Sequence, residues 1–317
     1  MSQFEKRVFV AGSTGMVGSS VVRELRRGGY GRIITSTSSD LDLTDQSAVD
    51  SFFEVQKPQI VILAAAKVGG ILANNKFRAD FIYNNLMIEA NVIHSAYRHG
   101  AEKLVFLGSS CIYPKFARQP MVEEELLTGP LEFTNEPYAI AKIAGIKLCE
   151  SYYRQYGCNF ISAMPTNLFG ENDNFDLESS HVIPALMRKF HDAKLGAASE
   201  VVVWGTGTPR REFLFVDDLA EAIVFLMESV DAPDLYENGI SHLNIGSGKD
   251  IEIGELASLV KKVVGYTGSI RFDRDKPDGT PRKLMDVSRI AGLGWKYKTE
   301  LEVGLERTYR WFVNNRA

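Results

Sequence analysis

The chain has no long apolar run. Its longest, Ile60 to Ala66, is far short of the roughly 20 residues a membrane helix needs, so no membrane role is expected. Cysteine is scarce: Cys111, Cys149 and Cys158 cannot all pair, which excludes a disulfide framework. Met1 to Arg7 is polar and lacks an apolar core behind a basic head, so no secretory leader is read and a reducing cytoplasm is the expected compartment. Histidine numbers only five, and no His/Cys spacing points to a metal site. Neither sign of charge dominates. A net charge of -4 and a pI near 5.8 disfavour nucleic acid or an anionic membrane as the main partner. Long linkers, repeats and low-complexity tails are also missing.

What is present is an ordinary globular composition: 317 residues, 45% hydrophobic, enough for one large domain or two coupled ones. The ligand must therefore be sought in a site. Lys6 to Ala11 reads as a buried strand that opens into Gly12-Ser13-Thr14-Gly15-Met16-Val17-Gly18, followed by a helical pattern to about Arg27. Glycines at this spacing between strand and helix allow a tight turn and close backbone approach, so the helix N-terminal amides can hold a pyrophosphate. A second strand, Arg32 to Thr37, ends in Ser36, Thr37, Ser38 and Ser39, with neither a carboxylate to repel a ribose phosphate nor an arginine to clamp one. Asp40 and Asp42 lie in the next turn and face either the adenine region or solvent.

The stretch Glu136 to Lys142 reads as the first turns of a helix, with Thr134 or Asn135 as its cap and Pro137 in the first turn. Tyr138 and Lys142, four apart, project from one face together with Ala141, Gly145 and Cys149. A phenol titrates near ~10 and serves as an acid or base near neutrality only if a cation stabilises its phenolate, which Lys142 is placed to do. By spacing alone, two surface neighbours fit as well. Ile140 and Ile143 are expected on the opposite side, covered by a helix of a second subunit. Other strands are read at Gln59 to Leu63, ending in Ala64-Ala65-Ala66, at Lys103 to Leu107, running into Gly108-Ser109-Ser110-Cys111, and at Phe160 to Met164. In a parallel α/β sheet the loops at such carboxyl ends form the ligand crevice.

In this order, the glycine turn, the Ser109 loop and the Tyr-x-x-x-Lys pair resemble the extended short-chain dehydrogenase/reductases. Longer stretches are similar to that family's 3,5-epimerase/4-reductases of GDP-4-keto-6-deoxy-D-mannose: Ala64 to Ile71, Gly108 to Lys115, Glu136 to Glu150, Met164 to Leu168, Ser180 to Leu186 and Lys276 to Lys283. A related GDP-sugar enzyme acting on a 3,6-dideoxy sugar would keep nearly all of them. A redox-neutral epimerase or dehydratase of the same fold, and a non-catalytic dinucleotide sensor, are the remaining alternatives.

The resemblance implies an α/β fold with a Rossmann-type, doubly wound parallel sheet and a smaller α/β substrate domain. Residues 1–167 and 212–247 are expected to form the first, 168–211 and 248–317 the second. The implied catalytic group is Ser109, Cys111, Tyr138, Lys142 and His181. Cys111 and His181 would exchange protons at C3 and C5, Ser109 and Tyr138 would stabilise the enolate oxygen, and Tyr138, its pKa lowered by Lys142, would protonate the reduced C4 oxygen. NADP(H) is implied on Gly12, Ser13, Thr14, Gly15, Met16, Val17 and Gly18, and on Ser36, Ser38, Ala64 and Ala65. It would also meet Tyr138, Lys142, Pro165, Asn167, Leu168 and His181. Many bacterial members carry arginines where this chain has Thr14, Ser36 and Ser38, yet hydroxyls and amides can bind a phosphate, so NADPH is the expected cofactor. The sugar nucleotide is expected on Ser109, Asn167, Lys189, Trp204, Arg211, Asp278 and Lys283, with Arg211 gripping the diphosphate. The family usually forms homodimers through the long helices of the first domain.

Overall fold

The computed structural model describes residues 3–177, 179–276 and 278–315; Met1 and Pro277, both within stretches discussed above, lie outside them. The chain begins β1 (Val8–Ala11), α1 (Met16–Arg27), β2 (Ile33–Thr35), α2 (Gln46–Gln56), β3 (Ile60–Leu63), α3 (Ile71–Lys76), α4 (Arg78–Arg98), β4 (Lys103–Leu107), α5 (Glu136–Tyr156) and β5 (Phe160–Pro165). It continues with β6 (Asn167–Phe169), α6 (Val182–Leu195), β7 (Glu200–Trp204), β8 (Arg210–Phe215), α7 (Val216–Ser229), α8 (Ala232–Tyr236), β9 (Leu243–Ile245), β10 (Asp250–Glu252), α9 (Ile253–Val264), β11 (Ser269–Asp273), β12 (Arg282–Lys283), α10 (Ser288–Gly292) and α11 (Leu301–Asn315).

Six strands form one sheet in the order β2-β1-β3-β4-β5-β9, and every pairing within it is parallel. Strand side chains alternate between its faces, and both faces are covered, so the strands are apolar throughout rather than alternating. Val8 and Val10 join Val21, Leu25, Leu219 and Ile223 in the core under α1 and α7. Phe9 and Ala11 join Phe53, Val92, Ile146 and Cys149 in the core under α2, α4 and α5. This is the doubly wound architecture expected. The order reverses between β1 and β3, which places a crevice outside their carboxyl ends.

The smaller unit is built on β8, which pairs in parallel with β6 and β12 and antiparallel with β10, while β7 and β11 form a separate parallel pair. Phe169, Phe190, Phe215, Leu256, Leu305 and Phe312 fill its core. The expected boundary at residue 212 falls inside β8, and Ile290 and Trp295 pack into the core of the large sheet.

Two local expectations are corrected. Asn135 stands at the N-cap of α5 but makes no side-chain cap bond; its carbonyl receives Ala139 N–H instead. Ile143 is buried in the core rather than sharing an outer face with Ile140, which is 43% exposed. Ile143 lies one turn before the fully buried Ile146, on a flank of α5 that packs into this core. Ala141, Lys142, Gly145 and Cys149 are buried together, as read from the spacing. Among the described residues no helix is long and apolar enough to cross a membrane.

Candidate active site

The crevice at the strand-order reversal is floored by bare backbone. Gly12 has φ +85°, and a Cβ there would fall 2.7 Å from Ala65 Cα and N. A Cβ on Gly18 would lie 2.1 Å from the Gly12 carbonyl oxygen, and Gly15 N–H closes the turn onto that oxygen at 3.1 Å. Gly15 caps α1 without a side-chain bond, and the first turn carries no acid, so amides and helix dipole are free for an anion. Ser13 Oγ donates to the Ser36 carbonyl at 3.1 Å and ties this turn to the end of β2. Asp40 does not reach toward the crevice: its carboxylate accepts from Thr37 N–H and hydroxyl within its own turn, and Asp42 does the same with Thr44. The cradle fits a dinucleotide diphosphate, with Ser36 half-buried and Ser38 exposed beside it.

Beyond β4, Ser109 and Cys111 share one tight turn, in which the Ser109 hydroxyl accepts Cys111 N–H at 3.4 Å. The turn lies against α5 and so faces Tyr138. Burial pushes the Tyr138 phenol well above its ordinary value, with Cys111 and Glu89 adding to the shift and the Ser109 hydroxyl offsetting part of it. Burial likewise raises the Cys111 thiol, against the pull of Ser109 and the ammoniums of Lys283 and Lys142. Phe81 of α4 meets the Tyr138 ring edge-on at 6.3 Å.

Lys142 shares the face of Tyr138, as its spacing predicts, and its ammonium is engaged behind the ring. Its ammonium donates to the Leu107 carbonyl at 3.0 Å and lies 3.0 Å from Glu89 Oε1, with both side chains at most 2% exposed. It sits 5.8 Å from the centre of the Tyr138 ring. Glu89 escaped sequence reading, although its signal was available: with Phe81, Asn85 and Ile93 it lies on the buried, four-residue-spaced face of α4. Asn85 on that face exchanges hydrogen bonds with the Lys67 backbone and so pins the loop after β3.

The residues expected on the substrate side come from other elements. His181 precedes the first turn of α6, open to solvent yet walled by protein, and that partial desolvation lowers its pKa. No hydrogen bond or ion pair among the described residues joins it to Cys111 or Tyr138. Arg211 and Lys283 are register partners on β8 and β12, so two cations stand side by side. Gly279 leaves room for the guanidinium, since a Cβ there would lie 2.8 Å from Arg211 Nη2. Trp204 is half exposed, with Lys189 and Lys276 ammoniums 5.2 and 5.5 Å from its ring. Asp278 is engaged by Thr206 N–H and hydroxyl at 2.9 and 2.7 Å, so it shapes the Gly205 turn instead of presenting a free carboxylate. Asn167 donates to the Glu212 carbonyl at 2.8 Å, and Pro165 and Leu168 flank it at the end of β5 and in β6. Among the described residues no group of three or more His, Cys, Asp or Glu is arranged to hold a metal.

Residues 8–246 match the model of the NAD dependent epimerase/dehydratase family. The chain belongs to that family. Among its members, a GDP-L-fucose synthase of Arabidopsis thaliana is 60% identical over 99% of this chain and 95% of its own length. The GDP-L-fucose synthase of Escherichia coli K12 is 56% identical over 98% of each chain, against 36% for a GDP-L-colitose synthase of Yersinia pseudotuberculosis over 98% of this chain and 99% of its own. The crystal structure of a GDP-L-fucose synthetase from Naegleria fowleri bound to NADP superposes with a TM-score of 0.88 at 30% identity, covering 98% of this chain and 94% of that one. Within the family fold, the glycine turn, the Ser109 loop and Tyr138 all lie at carboxyl ends of the large sheet's strands or on the helix beside them.

Proposed function

We propose that the chain converts GDP-4-keto-6-deoxy-D-mannose to GDP-L-fucose, by epimerisation at C3 and C5 followed by NADPH-dependent reduction of the 4-ketone. The observation that carries this reading is the grouping of Cys111, Ser109 and Tyr138 at the carboxyl end of β4: a proton-exchanging thiol beside a pair of hydroxyl donors. The high identity to GDP-L-fucose synthases supports the same substrate.

The 4-ketone acidifies the hydrogens at C3 and C5. Ser109 and Tyr138 donate to its oxygen, where negative charge grows as a proton leaves carbon. Cys111 and His181 take and return the protons on opposite faces. In the free enzyme the thiol is protonated and the imidazole neutral, so the pair starts with one proton to give and one site to receive. When bound, NADPH supplies the hydride that C4 receives. Tyr138 gives its proton to the C4 oxygen, and solvent restores it. The Gly12 to Gly18 turn would hold the cofactor's diphosphate, and Ser36 and Ser38 its ribose phosphate. Arg211 and Lys283 grip the diphosphate of the sugar nucleotide, and Trp204 and Lys189 flank its guanosine. The active form is a homodimer joined through α4 and α5, where Tyr83, Ile140 and Tyr156 are exposed. A reducing cytoplasm suits a chain whose Cys111 must stay free.

Incubating the protein with GDP-4-keto-6-deoxy-D-mannose and NADPH, then identifying the sugar, tests the reading. GDP-L-fucose with one NADPH oxidised per product is expected. A product formed without NADPH oxidation, or a reduced sugar of unchanged configuration at C3 and C5, contradicts it.

A further inference from the structure

The chemistry above leaves Glu89 without a task, yet a carboxylate in the packed interface of α4 and α5 is costly unless paired. Its partner is the Lys142 ammonium 3.0 Å away, and among the described residues no other donor reaches either Glu89 oxygen. The space is provided by Gly145: a Cβ there would lie 2.9 Å from Glu89 Oε2 and 2.3 Å from the Phe106 ring. Phe106 in turn lies under the ammonium, its ring centre 4.8 Å from Nζ. Lys142 is thus held on three sides, by a carboxylate, a carbonyl and an aromatic face, at the back of Tyr138.

We propose that Glu89 is a positioning residue for the reduction: its carboxylate holds the Lys142 ammonium against Leu107 at the back of Tyr138, so that a cation stands beside the phenolate left when Tyr138 gives its proton to the C4 oxygen. The inference rests on Tyr138 being the proton donor at C4. Removing one member of a buried pair leaves an uncompensated charge, which the survivor relieves by neutralising. Without the carboxylate, the Tyr138 phenolate left after each reduction has no secured cation beside it. Burial itself holds Glu89 at about 6, above the ordinary range, with Lys142 opposing that rise. The other titratable groups facing the pair are Tyr138 and Cys149 of α5 and Cys111 of the β4 loop. Cys149 stays a thiol, pushed up to about 12 by burial, and cannot replace the carboxylate.

Glu89→Gln keeps the shape and removes the charge, and Glu89→Asp keeps the charge. In ¹⁵N-lysine-labelled free protein, the Lys142 Nζ signal, assigned by its loss in Lys142→Met, should leave the ammonium form at least about one pH unit lower in Glu89→Gln than in wild type. The kcat for reduction should fall about tenfold or more in Glu89→Gln, with NADPH KM and deuterium exchange at C3 and C5 within about twofold of wild type. Glu89→Asp should recover part of kcat. An unchanged Lys142 titration overturns the proposal, as does a loss of exchange and reduction in equal proportion. Because the Lys142 titration needs no substrate, it decides the pair even if the wild-type enzyme proves to act on another sugar.

Discussion

Gly12 and Ala65 approach so closely that the backbone of one occupies the space a side chain of the other would need: a Cβ on Gly12 would lie 2.7 Å from Ala65 N and Cα. The contact brings the ends of β1 and β3 together at the reversal of strand order and leaves the crevice floor without side chains.

Gly12→Ala must therefore overcome both a left-handed backbone at φ +85° and a clash with main chain. The first costs about 1–2 kcal/mol and the second about 1–3 kcal/mol. Urea unfolding should show a loss of about 2–5 kcal/mol, and a fluorescence titration should show NADPH binding at least about tenfold weaker. A variant that binds NADPH like wild type would remove the glycine turn from the cofactor site.

Arg211 and Lys283 stand opposite each other across the β8–β12 register. Losing one charge-assisted contact to a diphosphate costs about 1.5–3 kcal/mol. Arg211→Ala should raise the KM for the sugar nucleotide about 10–100-fold and leave the KM for NADPH within about twofold. Steady-state kinetics with each substrate varied in turn separates the two, and an equal rise in both would argue for general misfolding.

The end of β2 bears on cofactor choice. With Asp40 engaged by Thr37 in its own turn, no free carboxylate among the described residues stands beside Ser36 and Ser38 to repel a ribose phosphate. NADPH should give the higher kcat/KM. Equal or better turnover with NADH would show that these serines do not receive a phosphate.

Asp173 makes a prediction about stability. Its carboxyl is buried, accepts Asn174 N–H at 2.7 Å as its one hydrogen bond among the described residues and is pushed up to about 7 by desolvation. An unfolded aspartate titrates near ~3.9, so between these values the folded chain holds a proton that the unfolded chain has released. The contribution of this group to stability is therefore present below about pH 4 and is lost as pH rises through about 7. An asparagine side chain at this position would retain the acceptor without the charge, so Asp173→Asn should show a shallower fall in Tm from about pH 5 to 8, measured by calorimetry. Burial raises Glu89, Glu123 and Glu212 in the same direction, and they should supply the slope that remains. An unaltered slope in the variant would mean that Asp173 is ionised in the folded protein.

Much of the nucleotide-binding half was legible because its signals are local. β4 was read at its observed bounds, and the glycine turn, the Ser109 loop and the buried face of α5 follow from spacing within a few residues. β6, β10 and β12 were not read. Each is two or three residues long and exists only through pairing with β8, so no local pattern marks it. Lys142 is instructive: the four-residue spacing put it beside Tyr138, and its ion-pair partner comes from α4, more than fifty positions earlier. Only packing of the two helices shows that the ammonium is committed to Glu89. The engagement of Asp278 was illegible for a similar reason, since Thr206 reaches its carboxylate from a distant turn.

The claim that one site epimerises before it reduces is tested most directly by running the reaction in D₂O with wild-type protein and Cys111→Ala and locating deuterium by NMR. Wild type should yield GDP-L-fucose carrying deuterium at both C3 and C5. Cys111→Ala should still oxidise NADPH but return a reduced sugar with hydrogen, and the original configuration, at both carbons. Deuterium entering C3 and C5 at the wild-type rate in Cys111→Ala would contradict the account.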